Sequence, residues 1–205
     1  MLVMKFGGTS VGSVEAFTAV ANIAKQKVAE QSAAARPGVI VVTSAMSGVT
    51  NLLIDAAHKS AQGDVEAGKE AIATLRKKHM QVIDHFLADA AEKRQAERHL
   101  DGKLQELERI CGGIMVLGEL TPRGLDLVSG LGERINAPIP AAVLRSQGIE
   151  AEAVDAVGLV VTDSVFGGAE PLLEATETRC RAHLTPLLEQ GGTPVATGVV
   201  GATVD

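Results

Sequence analysis

The sequence predicts an α/β fold: a mostly parallel sheet between helical layers, in a three-layer αβα sandwich. Two observations carry this. Short apolar runs rich in β-branched residues alternate with long segments of helical period, the order that βαβ units produce. Loops rich in Gly, Ser and Thr follow those runs directly, at the strand carboxyl ends where such sheets bind ligands. At 205 residues and 46% hydrophobic, the chain can bury one proper core.

The run LVMKF (2–6) is the first strand. Over 13–30, Val14, Phe17, Ala21, Ala24 and Val28 recur at three- and four-residue steps and predict a helix, with Ser13 as its N-cap. VIVVT (39–43) is a second, buried strand, and NLLIDAAHKSA a helix that starts near Thr50 or Asn51. Residues 63–120 have helical character and no strand signal, and they hold much of the charge, in RKKH (76–79) and EKRQAERH (92–99). They read as a helical insertion whose charges form solvated faces. ERINAPIPAAVLRSQG predicts a helix, EAEAV (150–154) and LVVT (159–162) two strands, and EPLLEATETRCRAHLTPLLEQGG a long helix stopped by Gly191 and Gly192. PVATGVV (194–200) is the last strand-like run. No internal repeat or low-complexity linker is visible.

With 25 acidic and 19 basic residues, the net charge of -6 argues against a nucleic-acid or anionic-membrane surface. No apolar stretch approaches the roughly 18 residues needed to cross a bilayer, and no basic leader opens the chain, so a cytoplasmic location is the default expectation. Cys111 and Cys180 lie far apart in helix-like sequence and read as reduced, partly buried thiols.

Four stretches hold candidate chemistry. In KFGGTS, Gly7 and Gly8 remove two side chains after a strand and permit positive φ, which lets backbone amides approach an anion. The helix start that follows adds partial positive charge, and Lys5 supplies a point charge for a transferring phosphoryl group. The lysine precedes the glycines, so this is not a Walker A loop, and G-x-G-x-x-G is absent too. On local grounds a tight turn explains the glycines equally well. In VVTSAMSGVTN (41–51), the hydroxyls of Ser44, Ser47 and Thr50 could donate to a carboxylate or phosphate, or Ser47 or Thr50 could simply cap a helix. In SGLGERINAP (129–138), Glu133 and Arg134 follow a Gly-x-Gly turn at an expected helix start, where the dipole favours an acid; binding of a substrate ammonium is the functional alternative. In TDSVFGGAEP (162–171), a turn accounts for Asp163, Phe166 and the glycine pair.

In this order, KFGGTS, VVTSAMSGVTN, IMVLGELTPRGLDLVSGLGER, AAVLRSQGIEAEAVDA, TDSVFGGAEP and ATGVVGAT resemble the aspartokinases of the amino-acid kinase family over essentially the whole chain. The resemblance implies transfer of the γ-phosphoryl of ATP, with Mg²⁺, to the side-chain carboxylate of L-aspartate, giving 4-phospho-L-aspartate on the way to lysine, threonine and methionine. It implies that Lys5 contacts the transferring phosphate. Phe6, Gly7, Gly8, Thr9 and Ser10 lie against ATP, Ser44 and Thr50 hold the aspartate, and Glu133 holds its amino group. No residue is assigned as a metal ligand. A homo-oligomer is implied for the full-length enzyme.

Three departures stand out. Where the family commonly has Ser-x-Gly-Glu, this chain has Gly130-Leu131-Gly132-Glu133, with Ser129 one place earlier. Val199 replaces a usual aromatic residue, and Tyr and Trp are absent altogether. The chain also stops before the family's Gly-Arg-Gly-Gly-Ser-Asp segment, nucleotide-binding half and regulatory domains. The expectation is therefore the amino-terminal part of a catalytic domain, with an incomplete sheet and little activity alone. The competing reading is a non-catalytic ligand-binding or interaction module that keeps the kinase fold.

Overall fold

Alternation along Leu2–Phe6 (β1) puts Phe6 in the core and leaves Val3 and Lys5 exposed, so this edge strand has one apolar and one open face. A computed structural model describes residues 1–34 and 38–203. β1 pairs in parallel with Val39–Thr43 (β2), whose near-continuous burial suits a strand covered on both faces. β2 pairs with Thr193–Thr197 (β5), and β5 with Ala151–Val154 (β3), giving a parallel sheet in the order β1-β2-β5-β3. Registers Phe6–Thr43, Thr43–Thr197 and Val154–Ala196 bring all four carboxyl ends to one rim.

Val14–Ala33 (α1) and Pro138–Ser146 (α6) pack on the sheet and on each other. Ser13 caps α1 by accepting from the Ala16 amide at 3.3 Å, as its sequence predicts. Leu173–Glu189 (α7) packs on β5 as a thin outer layer with no fully buried residue. The expected helical insertion over 63–120 is a hairpin, Val65–Phe86 (α3) and Ala90–Leu117 (α4). Asp64 and Asp89 each cap one of its helices by accepting two backbone amides. Its buried Leu75, Ile83, Leu100, Leu104 and Leu107 belong to the same apolar cluster as Val41 and Val195 of the sheet, so insertion and sheet share one core. Each such leucine contributes about 1.5–3 kcal/mol by leaving water. Cys111 of α4 is buried and Cys180 of α7 half-buried, both free, and burial pushes both thiols up.

Several boundaries differ from the sequence reading. Val49–Ala61 (α2) begins after Gly48, which has φ +79° and provides no side-chain cap, so neither Ser47 nor Thr50 is the cap. Glu133 and Arg134 are not at a helix start: they lie in the last turns of Pro122–Asn136 (α5), which begins at Thr121-Pro122 with the threonine accepting from Gly124 at 3.1 Å. The Gly-x-Gly there lies within the helix. The run 159–162 yields only Val161–Thr162 (β4), which pairs with Ala202–Thr203 (β6) in a separate two-stranded ribbon. The last run does not extend to 200, because the chain leaves β5 at Gly198 and turns at Val199 with φ +59°. Among the described residues, no helix is long and apolar enough to cross a membrane.

Candidate active site

Backbone hydrogen bonds lace the rim together. The Ser44 amide donates to the Phe6 carbonyl at 3.1 Å and the Gly198 amide to the Thr43 carbonyl at 2.8 Å. The Ala156 amide donates to Thr197 Oγ1 at 2.7 Å. The loops after β1, β2, β3 and β5 therefore form one surface.

At its centre is Ala45. A Cβ on Gly8 would stand 2.9 Å from the Ala45 carbonyl oxygen, and one on Gly132 2.8 Å from the Ala45 methyl. Ala45 is thus held between the turn after β1 and the second half of α5, at two points where only glycine leaves room. Gly12 is also tight, its would-be Cβ 3.1 Å from that of Ser47. The positive φ anticipated for Gly7 and Gly8 is not used: Gly7 has φ -73°, and Gly8 serves close approach instead. Thr9 and Ser10 follow in a short 3-10 turn over Gly8–Val11, Thr9 exposed and Ser10 half-buried.

Glu133 is 6% exposed and lies beneath this loop. Burial pushes its carboxyl up from the usual range, opposed by a hydrogen bond from the backbone of Ala45. Sequence reasoning missed Asn136, one turn on and fully buried. Its Nδ2 donates to the Ser44 carbonyl at 2.7 Å and to Thr43 Oγ1 at 3.3 Å. A carbonyl oxygen only accepts, so this contact fixes which way the amide faces. Its Oδ1 makes no hydrogen bond among the described residues. The one available signal was its spacing, three residues after Glu133 and on the same helix face.

Of the expected residues, the fold gathers Gly8, Ser44 and Glu133 around Ala45, with half-buried Thr50 in the first turn of α2. The Phe6 ring belongs to the core, which leaves only its backbone for a ligand. Lys5 is on the opposite, exposed face of β1, and its ammonium makes no ion pair among the described residues. Asp163 and Phe166 are not gathered there. The Asp163 carboxylate accepts from Val165 and Glu170 within its own loop, as a turn requires. That loop docks on the first half of α5, with the Gly167 amide on Asp126 at 2.7 Å and the Arg123 guanidinium 5.5 Å from the Phe166 ring centroid.

Two of the departures acquire a structure. A Cβ on Gly130 would stand 3.1 Å from Val200 Cγ1, so Val200 takes up the room a side chain there would need. The Ser129 hydroxyl does not substitute, since it donates to the Asp126 carbonyl of its own helix. Val199 is 85% exposed. Beyond the rim, a cavity of about 290 Å³ opens between α4, α6 and the ends of β3 and β5, with Glu92, His99, Arg134, Arg145 and Asp155 in its wall. Its charges are paired: Arg145 holds Glu92 through two bonds of 2.6 and 2.7 Å, and Arg134 holds Asp155 at 2.8 Å.

The whole chain, residues 1–205, matches the model of the Amino acid kinase family. The chain belongs to this family. Among curated members it is similar to an aspartokinase of Schizosaccharomyces pombe, 32% identical over 154 residues that make up 75% of this chain and 30% of that protein. It is also similar to the chloroplastic aspartokinase 2 of Arabidopsis thaliana, 31% identical over 204 residues, 97% of this chain and 35% of that one. The chain therefore spans 30–35% of the length of these two relatives. The amino acid kinase fold recurs in E. coli aspartokinase III in complex with lysine and aspartate, with TM-score 0.79 and 25% identity over 100% of this chain and 42% of that one. The same enzyme in complex with aspartate and ADP gives TM-score 0.81 at 24% identity, again over 100% and 42%.

Proposed function

We propose that this chain forms the acceptor- and phosphate-binding part of an aspartate kinase, which transfers the γ-phosphoryl of ATP to the β-carboxylate of L-aspartate. The observation that carries the reading is the packing of Gly8 and Gly132 on Ala45, which joins a glycine turn suited to phosphate with a hydroxyl loop above a buried carboxylate. The similar E. coli enzyme, solved with aspartate and with ADP, supports it.

An ionised carboxylate attacks phosphorus without a general base, so the protein's work is alignment and charge neutralisation. The Gly7–Ser10 turn offers amides to the phosphates. Lys5 offers its ammonium to the transferring group. Ser44 and Thr50 donate to the acceptor, and Glu133 takes its ammonium, whose positive charge favours the ionised carboxylate against the effect of burial. Among the described residues no group of three His, Cys, Asp or Glu side chains could hold a metal ion. Mg²⁺ often keeps few protein ligands and rides on substrate phosphates, where it neutralises their charge. Homo-oligomerisation and a cytoplasmic location belong to the same reading, although several relatives bear chloroplastic names.

A coupled assay of aspartate- and ATP-dependent ADP release, on this chain and on the full-length gene product, tests the reading. Activity in the full-length protein is expected, with loss of turnover and retained fold in Lys5→Ala. The binding-module alternative draws on Val200 filling the space beside Gly130. It takes first place if no turnover occurs while calorimetry still detects aspartate or nucleotide.

A further inference from the structure

We infer that Asn136 is a positioning residue that sets the plane of the Ser44–Ala45 peptide in the acceptor loop. The inference rests on the aspartate-kinase reading of this site. The Ser44 carbonyl and the Ala45 amide are the two ends of one peptide unit. Asn136 Nδ2 donates to the first at 2.7 Å, and the buried Glu133 carboxyl lies near enough to the second for the Ala45 backbone to oppose the effect of burial on it. The two side chains stand one helical turn apart on α5 and so reach the same peptide from the same side.

Ala45 cannot shift sideways, because Gly8 lies on one side of it and Gly132 on the other at sub-3 Å would-be Cβ distances. The freedom left to the loop is rotation of this peptide about its flanking bonds, which would re-aim Ser44 just past the end of β2. The Asn136 bond blocks that rotation. Thr43 Oγ1 adds a weaker bond to the same carbonyl at 3.3 Å. A core-filling role alone would be served better by an apolar side chain, since Oδ1 is buried without a partner among the described residues.

The test is Asn136→Leu in the full-length protein, with Asn136→Ala as a second variant should the leucine not be accommodated. The expected result is an aspartate KM raised about ten-fold, the worth of one hydrogen bond, with the ATP KM changed by less than about two-fold. Amide hydrogen exchange at Ala45 should quicken by about ten-fold, while the melting temperature of Asn136→Leu holds or rises. Equal movement of both KM values, or unchanged exchange at Ala45, overturns the inference. If the wild type itself does not phosphorylate aspartate, the kinase reading fails, and the exchange at Ala45 alone then decides whether Asn136 holds the peptide.

Discussion

Gly8 and Ala45 meet backbone to backbone: a methyl group on the glycine would stand 2.9 Å from the alanine carbonyl oxygen. Gly7, its neighbour, has nothing within 4 Å of the same construction. Gly8→Ala is therefore expected to lower stability by about 1–3 kcal/mol through overpacking, whereas Gly7→Ala leaves it within about 0.5 kcal/mol. Thermal unfolding of the two variants side by side is the check, and equal shifts would refute the distinction.

The contact of Gly132 with Ala45 makes a prediction of definite sign. In an ordinary helix interior Gly→Ala stabilises by about 0.5–1 kcal/mol. Here the new methyl would lie 2.8 Å from the Ala45 methyl and 3.2 Å from Val49 Cγ1, so Gly132→Ala should destabilise instead, by about 1–3 kcal/mol. A denaturant midpoint above that of the wild type would show that α5 can move away.

His79 predicts a loss of stability in acid. It is fully buried in the α3–α4 hairpin, with Nδ1 on the Leu75 carbonyl at 2.7 Å and Nε2 unpartnered among the described residues. Burial, helped slightly by Lys78, pushes its pKa down to about 4. In the unfolded chain it titrates near 6.5, so between these values the unfolded state binds more protons and stability rises with pH. Stability should be fully present above about pH 6.5 and fall by up to roughly 3 kcal/mol toward pH 4. In His79→Leu this part of the pH dependence should vanish, as urea unfolding between pH 4 and 7 can measure.

Val199 has φ +59° although it is β-branched and 85% exposed, so nothing packed on its side chain compensates the conformation. Left-handed backbone costs an L-residue about 1–2 kcal/mol, and glycine returns about 0.5–1 kcal/mol of that as unfolded-state entropy. Val199→Gly should therefore stabilise by up to about 1 kcal/mol. A lower melting temperature would contradict this account.

The elements most legible in the sequence were those whose signal is local. The Ser13 cap, the buried face of α1, the VIVVT strand and the Gly191 stop are each set by neighbouring residues, and each is present. The interior of α5 was hidden because Gly130 and Gly132 read as a turn, and the helix tolerates them only through contacts with Val200 and Ala45, distant in sequence. Asn136 was hidden for the same reason, since its partners Thr43 and Ser44 lie some ninety positions earlier. Motifs in the sequence mark Lys5, Gly8, Ser44 and Glu133, but that Gly8 and Gly132 press on the same alanine follows only from the folded rim.

The strand order has a consequence for the chain's synthesis. β5 is the last strand of the four-stranded sheet to leave the ribosome, yet it lies between β2 and β3. Until residues 193–197 emerge, β2, whose side chains are mostly buried in the fold, and β3 each present an unpaired edge. Parallel pairing across so long a loop is slow, and exposed edges of this kind recruit strands from other molecules. Nascent chains stalled before Thr193 should be strong clients for chaperones, and emergence of residues 193–197 should lessen that dependence.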